Sequence, residues 1–374
     1  MEGYRKEFPV TQRYIYLDHA GVAPVSLRVR RAVEEFIKGA SEDGEASYKI
    51  WMDKIKGIRE RAAALIGAGS PEEIAFVKNT SHGLSLVAQG LDWREGDSVL
   101  VYEKEFPANV YPWLSLEKKG VQVRIIPSRN GRILLEDIED LIDSRTKLLS
   151  ISSVQFSNGF RIDLGIVSEL CQKKGVLLCV DAIQSLGVIP IDVKTLGIHF
   201  LAADAHKWLL GPEGIGIFYC SKEVVNKLSP PLIGWKSVKN ESDYDTIDFS
   251  LKEDTRRFEE GSFNVMGIYA LGAAIELLLE IGVERIEKRV LDLGDTVIEE
   301  AKRRGLEVRT PEEREYRAGI VSILGNFNPK GIRERLLERK ILTAARGGAL
   351  RISPHFYNTG EEVIRFFKNL DEIV

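Results

Sequence analysis

The sequence predicts an α/β protein: a three-layer αβα large domain on a mainly parallel sheet, with a smaller α+β domain after it. Three observations predict this. Short apolar, β-branched runs recur along the first part of the chain, helix-like segments separate most of them, and the pattern changes after about residue 222. Strand and helix alternating in this way give a parallel sheet wrapped by helices, with ligands at the carboxyl ends of the strands.

The strand-like runs are IAFV from residue 74, SVLVY from 98, VQVRIIP from 121, KLLSISSV from 147, VLLCV from 176, HFLAA from 199 and GIGIFYC from 214. LEDIEDLID and LGIVSELCQKKG carry the helical pattern between them. Beyond residue 222 a polar, proline-containing stretch runs to Arg257, and MGIYALGAAIELLLEIG reads as a long, mostly apolar helix. A charged amphipathic helix follows, then a strand at GIVSILG, another helix, two short strands in LTAARGGALRIS and a last helix at EEVIRFFKNL. This reading divides the chain into a large domain, residues 16–257, and a small domain made of residues 1–15 and 258–374. There is no internal repeat and no low-complexity tract.

A chain of 374 residues is long enough for two domains and a sizeable interior. Its net charge of -4 comes from acidic and basic residues mixed along the chain, with no basic stripe for nucleic acid and no polybasic membrane patch. The expected partner is a small molecule. Cys171, Cys179 and Cys220 lie in apolar surroundings without C-x-x-C spacing, so they read as core thiols of a reducing compartment and not as zinc ligands. The N-terminal MEGYRKEFPV lacks the apolar core of a signal peptide, and no apolar run reaches the roughly 18 residues of a membrane span. The sequence is therefore read as soluble and cytoplasmic, with no metal site.

The chemistry-bearing residues stand at the ends of the apolar runs. In ADAHKWLLGPEGIG, Lys207 sits among Trp208, Leu209 and Leu210. Most lysines are solvated surface charges, but one held in apolar company loses hydration, and its neutral amine can act as nucleophile or base. In VLLCVDAIQSLG, Asp181 closes an apolar run, where a carboxylate either caps a turn or faces a crevice. It precedes Lys207 by 26 residues, enough for a crossover and a return to the same sheet edge. In FVKNTSHGLSLVAQGL, Asn79, Thr80 and Ser81 open a helix, which serves as an ordinary N-cap or offers N–H groups and hydroxyls to an anion. Neither a G-x-G-x-x-G nor a Walker-type motif is present. Anion site, strand-end aspartate and desolvated lysine together match the needs of pyridoxal 5'-phosphate: phosphate anchor, pyridinium partner and Schiff-base amine.

With these motifs on view, the chain resembles the class V aminotransferase-fold enzymes of fold type I, a group that includes cysteine desulfurases, selenocysteine lyases, kynureninase and isopenicillin N epimerase. YLDHAGVAP, VKNTSHG, VDAIQSLG, ADAHKWLLGPEGIG, RFEEGSFN and RISPHFYNT carry the likeness along nearly the whole chain. The resemblance implies that Lys207 bears the cofactor as a Schiff base and then moves protons on the substrate carbon, while Asp181 pairs with the ring nitrogen. It implies that Gln184 bonds the ring 3-oxygen and that Thr80, Ser81 and His206 hold the phosphate. It further implies that Ser262 reaches a neighbouring subunit's phosphate in a homodimer with shared sites, and that Arg351 binds a substrate carboxylate as a bidentate pair. His19, in YLDHAGVAP, is an expected substrate contact.

Two departures narrow the function. Where the desulfurase branch stacks a histidine on the ring, this chain has EFPAN, with Phe106 able to stack but not to carry a proton. Between Arg346 and Arg351 there are only four residues and no cysteine, so the desulfurase nucleophile is missing. SVQFSNGFR is shorter than the family's pattern and leaves open whether Asn158 or Gln155 lies nearer the cofactor. The leading expectation is an aminotransferase acting on an α-amino acid and a keto acid. The alternatives are an epimerase, a β/γ-lyase like selenocysteine lyase or cysteine desulfurase but without a protein persulfide, and a non-catalytic cofactor-binding regulator.

Overall fold

The computed structural model describes residues 1–374, the side chain of Glu2 excepted. A short strand, β1 (Ile15–Tyr16), and two long helices, α1 (Leu27–Glu42) and α2 (Tyr48–Leu65), come first. Strands and helices then alternate: β2 (Ile74–Val77), α3 (Thr80–Gly90), β3 (Ser98–Tyr102), α4 (Tyr111–Leu114), β4 (Gln122–Ile126), α5 (Leu135–Leu141), β5 (Thr146–Ser152), α6 (Leu164–Lys174) and β6 (Leu177–Asp181). β7 (Phe200–Asp204) and β8 (Gly216–Cys220) close the series, so each of the seven apolar runs forms a strand.

These strands make one sheet in the order β2-β8-β7-β6-β5-β3-β4. It is parallel except for β8, which runs antiparallel to both of its neighbours. Helices cover both faces. Val99 and Val101 of β3 belong to one core with Leu84 and Val87 of α3, while Leu100 and Tyr102 belong to the opposite core with Ile58 of α2 and Leu170 of α6. A strand buried on both faces has no polar side to show, which is why the runs other than the half-exposed edge strand β4 read as mainly apolar stretches. The β6–β7 connection, residues 182–199, is built from turns and no helix.

The rest of the chain comprises α7 (Val265–Ile281), α8 (Val283–Arg303), β9 (Glu307–Val308), β10 (Val321–Leu324), α9 (Pro329–Glu338), β11 (Ile341–Leu342), β12 (Ala344–Arg346), β13 (Ala349–Ile352) and α10 (Gly360–Asp371). An antiparallel sheet, β12-β13-β10-β9, packs with α8 and α10 around a separate core, and β1 pairs with β11. α7 packs along α1 and α2, and its Ile268, Leu271 and Ile275 lie in the core of the large sheet. The sequence division at residues 257 and 258 thus falls just ahead of a helix whose packing is with the large sheet. Among the described residues no single helix is long and apolar enough to cross a membrane; α7 and α8 meet at a bend of 81°.

Candidate active site

The carboxyl ends of the central strands carry the charged residues. The parallel register sets Ser152 of β5 beside Asp181 of β6, and Asp181 beside Ala202 of β7. Three residues beyond β7, Lys207 lies in a turn whose closing N–H, from Leu210, bonds the Lys207 carbonyl at 3.0 Å. Leu210 has φ of 61°, a conformation that branched residues seldom adopt and that persists only where surrounding contacts hold it. Lys207 is only 9% exposed. Burial pulls its amine down to about 8, and the attraction of Asp181 opposes that fall. Asp181, 2% exposed, is pushed up to about 6 by burial, against the Ile183 N–H that its Oδ1 accepts at 3.0 Å and the charge of Lys207. Between these values both groups are charged.

The start of α3 points into the same region. Asn79 caps it by accepting from the His82 N–H, and Thr80 Oγ1 accepts from the Asp204 N–H at 3.0 Å, leaving the Thr80 hydroxyl proton free to donate. Ser81 is exposed. Gly83 lets α3 lie close on the sheet: a Cβ there would stand 2.7 Å from that of Ala202. His206 Nδ1 lies 3.1 Å from Asp204 Oδ1 without hydrogen-bond alignment, so both are buried polar atoms with no partner among the described residues.

Around these groups, Gln184 accepts from the Trp208 indole N–H at 2.8 Å through Oε1 and donates to the Ala20 carbonyl at 3.1 Å through Nε2. The Phe106 ring centroid is 5.5 Å from Lys207 Nζ, with Phe156 edge-on to it. Arg351, 1% exposed on β13, gives one N–H to the Phe156 carbonyl and one to Asp18 at 3.0 Å, while its Nε has no partner. The charge of Arg351 is felt at Lys207, so the two share one neighbourhood.

Two acidic residues were not singled out from the sequence. Asp18, from YLDHAG, is the ion-pair partner of Arg351, and burial raises its carboxyl against that attraction. Glu105, the first residue of EFPAN, is buried and pushed up to about 7 by desolvation, although it accepts from the Ser152 N–H at 2.7 Å, from the Ser152 hydroxyl and from Gln155 Nε2. The charge of Asp181 contributes to that rise. A glutamate three residues past the end of a buried strand is the only sequence signal for it. Gln155 thus joins this wall and has an orphaned Oε1, whereas both polar ends of Asn158 are engaged, with Gly131 and Phe160.

Two expected residues stand apart. The expectation that His19 contacts substrate is corrected: it is fully buried, its Nδ1 donates to the Ser353 carbonyl at 2.9 Å, and its Nε2 accepts from the Tyr357 hydroxyl at 2.6 Å. Burial brings the ring down to about 4, and no polar atom is left for a ligand. Ser262 is exposed beside Lys78, His82 and Gly214, in a recess that does not include Lys207. The three cysteines are buried and free, and desolvation pushes their thiols up, Cys171 to about 12.

The profile of the class-V aminotransferase family matches residues 15–366. The chain belongs to that family. Among relatives, a probable cysteine desulfurase of Methanothermobacter thermautotrophicus is 32% identical over 100% of this chain and 98% of that protein. An uncharacterized aminotransferase, YcbU of Bacillus subtilis, is 32% identical over 97% of this chain and 95% of its own. Among solved structures, an apo cysteine desulfurase from Thermococcus onnurineus superposes with a TM-score of 0.91 at 29% identity, covering 100% of this chain and 98% of that one. This class-V member is therefore a pyridoxal-phosphate-dependent enzyme, an aminotransferase or a lyase, with the α/β architecture of fold type I.

Proposed function

We propose that the protein is an aminotransferase that moves the amino group of an α-amino acid to a keto acid, with pyridoxal phosphate attached to Lys207. The observation that carries this reading is the β12–β13 hairpin. It turns on Gly347 and Gly348, both with positive φ, and presents no thiol, while Arg351 at its base keeps a buried Nε without a partner. A carboxylate can be held there, but a persulfide cannot form.

The residues suit the group: a buried amine, a buried carboxylate with one oxygen uncommitted, a helix start with two hydroxyls, and an amide with a hydrogen to spare. Pyridoxal phosphate, when bound, supplies an aldehyde carbon and a ring that draws electron density from the substrate carbon. Asp181, ionised above about pH 6, holds the proton on the ring nitrogen. Lys207 bears the group and then carries protons at the substrate carbon, a task its pKa of about 8 matches. Thr80, Ser81 and His206 bind the phosphate, Phe106 covers one ring face, and Arg351 orients the substrate carboxylate. The unit in this reading is a homodimer, in which Ser262 of each copy completes the phosphate site of the other. Its support is that the recess holding Ser262 does not include Lys207, and that the segment ahead of Ser262 exposes the apolar side chains Leu232, Ile233, Trp235, Ile247 and Phe249.

The second reading is a lyase on sulfur- or selenium-bearing amino acids that uses no protein persulfide; relatives named as probable cysteine desulfurases support it. The holoprotein mixed with amino acids and a keto acid separates them. Transfer of the amino group with accumulation of the pyridoxamine form is expected. Release of sulfide or selenide without transfer selects the lyase, inversion of the amino acid selects an epimerase, and bound cofactor without any turnover selects a regulator.

A further inference from the structure

We propose that Trp208 is a positioning residue for Gln184, fixing which end of its amide faces the cofactor ring. This rests on the reading of Lys207 as the cofactor-bearing lysine. The two ends of a glutamine amide have nearly the same shape, so in a buried site the hydrogen-bond partners decide its orientation. Here both partners are single-minded: an indole N–H only donates, and a backbone carbonyl only accepts. Trp208 Nε1 donates to Oε1 at 2.8 Å, and Nε2 donates to the Ala20 carbonyl at 3.1 Å. Turning the amide over would set N–H against N–H and oxygen against oxygen at two buried contacts, which native interiors avoid.

With those contacts made, the second hydrogen of Nε2 has no acceptor among the described residues and is free for an anionic ring oxygen. The indole itself cannot swing away. Trp208 is fully buried, its carbonyl accepts from His355 Nε2 at 3.1 Å, and its Cη2 lies so near Gly319 that a Cβ there would be 2.3 Å from it. The residue following the reactive lysine thereby controls a donor 24 positions earlier in the chain.

The test is a double-mutant cycle on the holoenzyme with Gln184→Met and Trp208→Phe, read as the pH titration of the bound cofactor's visible absorbance. Losing a donor to the ring 3-oxygen leaves that oxygen more basic and raises the midpoint. A hydrogen bond to a charged group corresponds to roughly one to two pH units. Gln184→Met is expected to give a rise of that size, Trp208→Phe a smaller rise, and the double variant no more than Gln184→Met alone. A Trp208→Phe shift that adds in full to that of Gln184→Met, or no shift at all, overturns the proposal. Because phenylalanine leaves space where the indole stood, benzothienylalanine at position 208, which keeps the bicyclic shape without the N–H, must reproduce the rise; a wild-type midpoint in that protein also overturns it. A wild-type holoprotein with no lysine-bound absorbance band overturns the underlying reading of Lys207, and the positioning role with it.

Discussion

Lys207 can be probed through the rate at which the apoprotein takes up its cofactor. At pH 7 an amine with a pKa of about 8 is neutral in about one molecule in ten, against roughly one in three thousand for an ordinary lysine. The nucleophilic fraction is therefore about 300-fold larger than in water. Burial lowers the amine and Asp181 raises it, so Asp181→Asn removes the opposing charge and drives the amine further down. Stopped-flow absorbance across neutral and alkaline pH, with Nα-acetyl-lysine as reference so that the aldehyde's own ionisation cancels, gives the attachment midpoint. The wild type is expected near 8 and Asp181→Asn below it, even as equilibrium affinity and turnover fall for want of a charged pyridinium partner. A wild-type midpoint at the ordinary lysine value, or an upward move in Asp181→Asn, refutes the reasoning.

Arg351→Lys keeps the charge but loses the planar fork, and KM for amino acids is expected to rise by roughly tenfold to a hundredfold in steady-state kinetics; an unchanged KM would remove Arg351 from substrate binding. Gly83→Ala drives a methyl group against Ala202 and is expected to destabilise by about 1–3 kcal/mol and to weaken cofactor binding, measured by denaturant unfolding and by cofactor titration. If both are unchanged, the close approach of α3 has no role in the phosphate site. The buried thiols of Cys171, Cys179 and Cys220 are expected to react with a thiol reagent only on unfolding, and their replacement by alanine is expected to leave turnover in place; loss of turnover with the fold intact would reopen a persulfide route.

The large sheet was legible because β2, β3 and β5 to β8 are almost wholly buried and read as mainly apolar runs, with only the edge strand β4 half-exposed, while β1, β9 and β11 span two residues each, too few to carry a pattern. Lys207 and Asp181 stood out as charges ending such runs. Contacts made across great chain separations did not. The role of Asp18 depends on Arg351, 333 residues away, and the clamp on Gln184 depends on Ala20, 164 residues away. His19 looked available in YLDHAGVAP, yet Tyr357 and Ser353 arrive from the other end of the chain to bury it. The acid beside Phe106, Glu105, acquires its raised pKa only once β5 packs against it.

The most direct measurement is borohydride reduction of the holoprotein followed by proteolysis and mass spectrometry. The account predicts a pyridoxyl-phosphate adduct on the peptide carrying Lys207, at close to one per chain, and its loss together with the visible band in Lys207→Ala. An adduct on another lysine, or a band that survives in Lys207→Ala, would contradict it.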